Sequence, residues 1–227
     1  MSEPYWAALG GGSVDYKGAW AAGTAYAPGD VVRHGGVDYL AVNPSTGVDP
    51  GVATGIAPPQ TMELIVEKDL AASKEFTSIP QTYDHLRLVM RARSTGAVQA
   101  EPCYLRFNDY TDANYDDAGF LVNNGAFVNR QVLAQDKLYA ATLSAGTALA
   151  SWFGSVELLI PGYTDSFPKS LLGRSLSSDA TLPTLFHESI AGIWRYGIAV
   201  TKITLIPGGG AFAANSKAWL YGIRGAP

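Results

Sequence analysis

His85-Leu86-Arg87-Leu88-Val89-Met90-Arg91-Ala92-Arg93 decides the fold class. Leu86, Leu88, Met90 and Ala92 fall on one face of an extended chain, and Arg87, Arg91 and Arg93 on the other. Only a strand, whose side chains alternate from face to face, sorts this run into an apolar and a charged side. Working outward, Cys103, Leu105 and Phe107 alternate with Tyr104, Arg106 and Asn108 in the same way. Phe120 to Val128 carries Asn124-Gly125, the strongest short signal for a hairpin. Val156, Leu158 and Ile160 stop at Pro161-Gly162, Ile198 to Ile206 stops at Pro207-Gly208-Gly209-Gly210, and Trp219, Tyr221 and Ile223 form a last strand. Gly208-Gly209-Gly210 reads as a hairpin turn. Helical periodicity is weak: residues 62–73 have room for a turn or two, and Asp136 to Ala150 is ambiguous. Many short strands separated by turn signals predict an all-β chain whose larger part, residues 61–227, is an antiparallel β-sandwich of jelly-roll type.

Composition narrows the function classes. Charged residues are 16% of the chain, well below the usual quarter, while 47% are hydrophobic, so a core forms beneath a sparsely charged surface. With 25 Gly and 12 Tyr, this suits an extracellular or particle-bound protein better than a cytosolic enzyme. The net charge is −4 and no basic run occurs, which argues against nucleic-acid binding, because that requires clustered Lys and Arg to displace counterions. The single cysteine, Cys103, excludes an internal disulfide and reads as a small buried hydrophobe. Met1 to Gly12 lacks the basic start and apolar run of a secretory signal, and no apolar stretch is long enough for a membrane span.

Two further segments precede the sandwich. Residues 1–16 read as a docking arm, with Tyr5 and Trp6 as its anchors and Gly10-Gly11-Gly12-Ser13 as a flexible tether. Residues 17–60 read as a small three-stranded module. Its sequence from Gly18 to Ala41, GAWAAGTAYAPGDVVRHGGVDYLA, sets aromatic residues around the turns Pro28-Gly29-Asp30 and Gly35-Gly36. This spacing resembles the small chitin- and cellulose-binding modules of the CBM5/12 type. The resemblance implies sugar contact through Trp20, Tyr26 and Tyr39. The paired aromatics that such modules carry after the position of Ala41 are replaced by Val42-Asn43-Pro44-Ser45, and the later Trp is missing. That departure points away from crystalline chitin and toward a soluble or branched glycan, or no glycan.

From Phe76 to Leu88 the chain reads F-x2-IP-x-TY-x-HLRL. It continues with LRFN-D…NY, with IPGY at Ile160 to Tyr163, and with LYGI at Leu220 to Ile223. These phrases, spread over residues 74–225, resemble a recurring domain of tailed-bacteriophage virion proteins. The resemblance implies a β-sandwich at an exposed position on the tail or head, often trimeric, with other virion proteins as partners.

The chemical candidates are few. Asp112, Asn114 and Asp116 have the alternate spacing that opens a calcium loop, although Asp117 stands where such loops place Gly and no Glu follows at the twelfth position. Asx-rich turns account for the same residues without metal. His34, His85 and His187 belong to no catalytic motif, and carboxylates such as Asp165 with Glu157 or Glu188 are what a glycan-cleaving pair would draw on. Arg87, Arg91, Arg93 and Arg106 are expected on one sheet face, available to an anionic glycan or a neighbouring subunit. The expectation is therefore a non-enzymatic virion protein without catalytic residues or cofactor, acting as a minor tail or receptor-binding protein in host-surface glycan adhesion. A capsid decoration or head-fibre protein is the alternative, and a polysaccharide-degrading enzyme is a third.

Overall fold

A computed structural model describes residues 15–41, 43–50, 62–72, 74–123, 125–178 and 185–224, together with the backbone of Trp6–Ala7. The chain divides into two compact units, residues 1–61 and residues 62–224. The described residues contain strands and no α-helix.

The small unit holds β1 (Trp6–Ala7), β2 (Asp15–Ala19), β3 (Ala25–Tyr26), β4 (Asp30–His34), β5 (Val37–Ala41) and β6 (Ser45–Thr46). Its sheet runs β1-β5-β4-β2, so the expected three strands are joined at one edge by the two-residue β1. Trp6 pairs through its backbone with Ala41; Tyr5 lies outside the described residues. The Pro28-Gly29-Asp30 turn is closed by the Asp30 carboxylate, which accepts a hydrogen bond from the Ala27 N–H at 2.9 Å. Tyr26, Val32 and Ala41 form the core, with Trp20, Tyr39 and Val48 packed against it.

The large unit continues with β7 (Met62–Asp69), β8 (Glu75–Phe76), β9 (His85–Ala92), β10 (Ala100–Phe107), β11 (Tyr115–Asn123), β12 (Ala126–Gln135), β13 (Leu138–Ser144), β14 (Gly154–Pro161), β15 (Lys169–Ser178), β16 (Leu185–Trp194), β17 (Ile203–Pro207) and β18 (Lys217–Ile223). Four antiparallel pairs nest inside one another: β10 with β13, β9 with β14, β8 with β17, and β7 with β18. Folding that long nested ribbon over itself yields two facing sheets, β14-β9-β18-β7 and β13-β10-β17-β8, which is the jelly-roll arrangement. Two inserted hairpins, β11–β12 and β15–β16, extend the first sheet on the β14 side. It becomes eight-stranded, in the order β12-β11-β16-β15-β14-β9-β18-β7.

The alternation that announced β9 places the core. Leu86, Leu88 and Met90 pack with Val156, Leu158 and Ile160 of β14 and Leu220 of β18 against Leu105, Phe107 and Leu205 of the facing sheet. Full burial of each such side chain contributes about 1.5–3 kcal/mol. Trp194 closes one end, with Phe107, Tyr110, Tyr115 and Tyr196 rings centred 5.4 to 6.1 Å away. The phrases noted in the sequence converge on core and turn positions. The Tyr163 hydroxyl donates to the Pro80 carbonyl. Gly222 lies against the Tyr83 ring, where an added Cβ would approach Tyr83 Cγ to 2.3 Å.

Several sequence expectations are corrected. Residues 62–69 and 138–144 are strands. In β7 the register slips opposite Leu220/Tyr221, so that Ile65 and Val66 both pack against the core; this bulge breaks the period of two and imitates helical spacing. Gly208-Gly209-Gly210 is a corner, because the strands on either side, β17 and β18, belong to different sheets. The hairpin at Asn123↔Ala126 has the expected two-residue connection, with Gly125 at φ +82°.

Candidate functional site

The two inserted hairpins create a shallow concavity on the large unit. They carry the eight-stranded sheet past the edge of its partner, and β13, the last strand of the shorter sheet, packs over β15 and β16. A cleft of about 650 Å³ lies beside β13, walled by Pro102, Tyr104, Tyr139 and Thr142 on one side and by Leu121, Arg130 and Phe186 on the other. This size falls within the usual range of ligand pockets.

Behind Tyr139 and Thr142 lies a buried polar network. Glu188 points inward from β16 and is only 3% exposed. Its carboxylate accepts from the Thr142 N–H and the Thr142 hydroxyl, each at 2.7 Å, and from the hydroxyls of Tyr139 and Ser175. Burial, and then the neighbouring Glu188 charge, hold the Tyr139 phenol above the ordinary tyrosine range, so it stays a donor. Arg130 reaches in from β12. Its Nε donates to Asp117 at 2.6 Å, and its guanidinium carbon sits 4.2 Å from the Tyr139 ring centroid. The Tyr104 ring meets Tyr139 edge-on at 6.1 Å, and Lys137 Nζ lies 4.9 Å from the Tyr104 centroid. The cleft therefore combines a half-buried tyrosine ring with the remaining N–H donors of a guanidinium that Asp117 holds in place. It suits reversible recognition of a ligand that has both apolar faces and hydroxyl groups.

The residues singled out from sequence lie elsewhere. Tyr26 is 4% exposed in the small core, so it presents no ring face to a sugar, and its hydroxyl accepts from the Ala21 N–H at 2.8 Å. Trp20 and Tyr39 are half-buried against that core, and Trp20 meets His34 edge-on at 5.0 Å. The three aromatic residues do not form an open row. Tyr16, on the same unit, is the exposed aromatic that the sequence reading passed over.

In the acidic loop, Asp112 and Asp116 take different partners. The Asp112 carboxylate accepts from Tyr196 and Asn114, whereas Asp116 accepts from Arg195 and from the Ala134 N–H. Among the described residues no three acidic, histidine or cysteine side chains gather in a metal-binding group.

The strand pleat separates the catalytic candidates. Glu188 faces inward, while His187 and Ser189 face outward, so the run His187-Glu188-Ser189 cannot converge. Glu157 also lies on the outer face, paired with Arg87 at 2.7 Å and Arg174 at 2.8 Å. His85 Nδ1 accepts from the Gly162 N–H at 3.2 Å, and His34 Nε2 lies 3.0 Å from Asp49. The four arginines do not share a face. Arg87 and Arg91 do, but Arg106 belongs to the other sheet and pairs with Asp136, while Arg93, just past the end of β9, is buried. Its guanidinium donates to the carbonyls of Gly146, Ala148, Leu149 and Trp152, shaping that loop.

No family model, curated protein or solved structure matches this chain. The cleft residues were missed because they come from three separate parts of the chain. The one local signal was Tyr104, placed by alternation opposite buried Cys103 and Leu105.

Proposed function

We propose that this is a non-enzymatic bacteriophage virion protein, exposed on the particle as a minor tail or receptor-binding component that attaches to host-surface glycan. The carrying observation is the cleft beside β13, where the half-buried Tyr104 ring stands beside the buried Tyr139 and the Arg130 guanidinium fixed over it. Aromatic rings stack on the apolar faces of sugar rings, and immobilised donors select the hydroxyl pattern. The jelly roll, an architecture that viral capsid and lectin domains share, supports the reading, as do the virion-like phrases. Several copies on one particle would turn weak single contacts into firm attachment.

The test is binding of the intact protein to a glycan array and to whole host cells, alongside Tyr104→Ala and Trp20→Ala. Saturable binding reduced at least tenfold by Tyr104→Ala and unchanged by Trp20→Ala is the expected result. Loss with Trp20→Ala alone would move adhesion to the small unit. Release of reducing sugar from a bound polysaccharide would replace adhesion with catalysis. A structural role in capsid decoration is the second reading, and a broad apolar face on the large sheet favours it. Locating the copies on the particle, few at the tail tip or many on the head, separates the two.

A further inference from the structure

The outer face of the hairpin extension sets large exposed apolar side chains among polar ones, Arg174, His187 and Asn129 included. Register assigns the outward positions of neighbouring strands: Leu172 and Leu176 on β15, Leu185 and Ile193 on β16, Phe120 on β11, and Phe127 on β12. Phe127 is 62% exposed, Leu133 57% and Leu172 53%. The Phe120 and Phe127 rings stack on each other at 4.9 Å and stand up from the sheet together. These seven side chains together leave on the order of 700 Å² open, interrupted by the outward polar residues Arg174, His187, Ser189, Asn129 and Gln131. A stable interface needs about 800 Å² from each partner. The face supplies most of that before its half-buried neighbours Val122 and Leu159 are included.

The same face holds both a projection and a recess. A hollow of about 430 Å³ is floored by the small residues Ala118 and Ala191 and rimmed by Leu133, Leu172 and Ile193. Ala118 and Phe120 are two residues apart on one side of β11, so hollow and aromatic pair lie side by side. A surface with adjacent projection and recess is complementary to another copy of itself. The charged groups on and beside it are paired internally, Glu157 with Arg87 and with the outward Arg174, and Asp116 with Arg195.

We infer that the outward face of β15, β16, β11 and β12 is the self-association surface of this protein, and that its occupant is the same face of a second copy. The inference does not depend on what the cleft binds, since the cleft opens on the opposite side of this sheet. Sedimentation velocity and light scattering on the full-length protein test it, using the unaltered chain, Leu172→Arg, Phe127→Arg and, as a control for added charge, Ile198→Arg. The expected result is a homo-oligomer that the control retains and that each face substitution weakens on the order of 100-fold or more in dissociation constant, because an unpaired charge enters an apolar contact. Circular dichroism should stay that of the unaltered chain, since both substituted side chains point outward, and the thermal midpoint should fall only by the stabilisation that association supplied. A chain that stays monomeric at tens of micromolar, or an oligomer that both face variants keep, overturns the inference.

Discussion

The guanidinium carbon of Arg130 lies 4.2 Å from the centre of the Tyr139 ring, which joins an inserted hairpin to the edge strand of the opposing sheet. Asp117 holds the other side of Arg130, and Glu188 holds the Tyr139 hydroxyl. Removing the cation in Arg130→Ala leaves the buried Asp117 carboxylate without its counter-charge. We expect a stability loss of about 2–4 kcal/mol in urea unfolding, together with weakened ligand binding. Arg130→Lys should recover part of the stability and little of the binding, since an ammonium lacks the planar fork.

Glu188→Ala removes one acceptor from four donors at once. Each donor left buried and unpaired costs about 1–3 kcal/mol, partly offset where water enters from the cleft. A decrease of at least 3 kcal/mol in urea unfolding is the expected reading. An unchanged midpoint would mean that the network contributes nothing to stability.

Arg93 anchors a loop through four carbonyl groups although it is almost fully buried. Arg93→Met keeps the aliphatic stem and removes every donor. The loop from Gly146 to Trp152 should then lose protection in amide hydrogen exchange, with a global cost of about 2–4 kcal/mol.

Gly222→Ala pushes a Cβ into the Tyr83 ring. Tyr83 must shift from its site against β18, at a cost of about 1–3 kcal/mol, measurable as a lower thermal midpoint. Pairing the substitution with Tyr83→Ala should remove most of the clash and show non-additivity in a double-mutant cycle.

Burial pushes the Cys103 thiol up from 9.0 to about 12, and the Tyr115 phenol up from 10.0 to about 12. In both cases the folded state holds the proton more tightly than the unfolded state. Their contribution to stability is therefore complete below pH 9, is lost as the pH rises through 9 to 12, and drives alkaline unfolding. Cys103→Ala should flatten the early part of that loss in a pH series of thermal melts. At pH 8 the native thiol should resist alkylation and become reactive only on unfolding.

Period-two alternation in Leu86–Ala92 and Cys103–Phe107, and the Asn-Gly turn before β12, determined the all-β character and the sandwich, because each is a contact pattern written within a few consecutive residues. The buried state of Cys103 followed from the same rule. The β7 strand was obscured by its bulge at Ile65, and β13 by an alternation disrupted because both of its faces are covered, as the burial of Leu138 through Ala141 shows. Tertiary structure alone decided the site. The cleft draws Tyr104 from β10, Arg130 from β12, Tyr139 from β13 and Phe186 from β16, and pairings of such separation leave no periodic trace along the chain. It also decided that Tyr26 is core and that Asp112 and Asp116 diverge, since a side chain's role depends on which strands the jelly roll brings beside it. Local periodicity reports which face a residue takes; only the closing of one sheet over the other determines what that face meets.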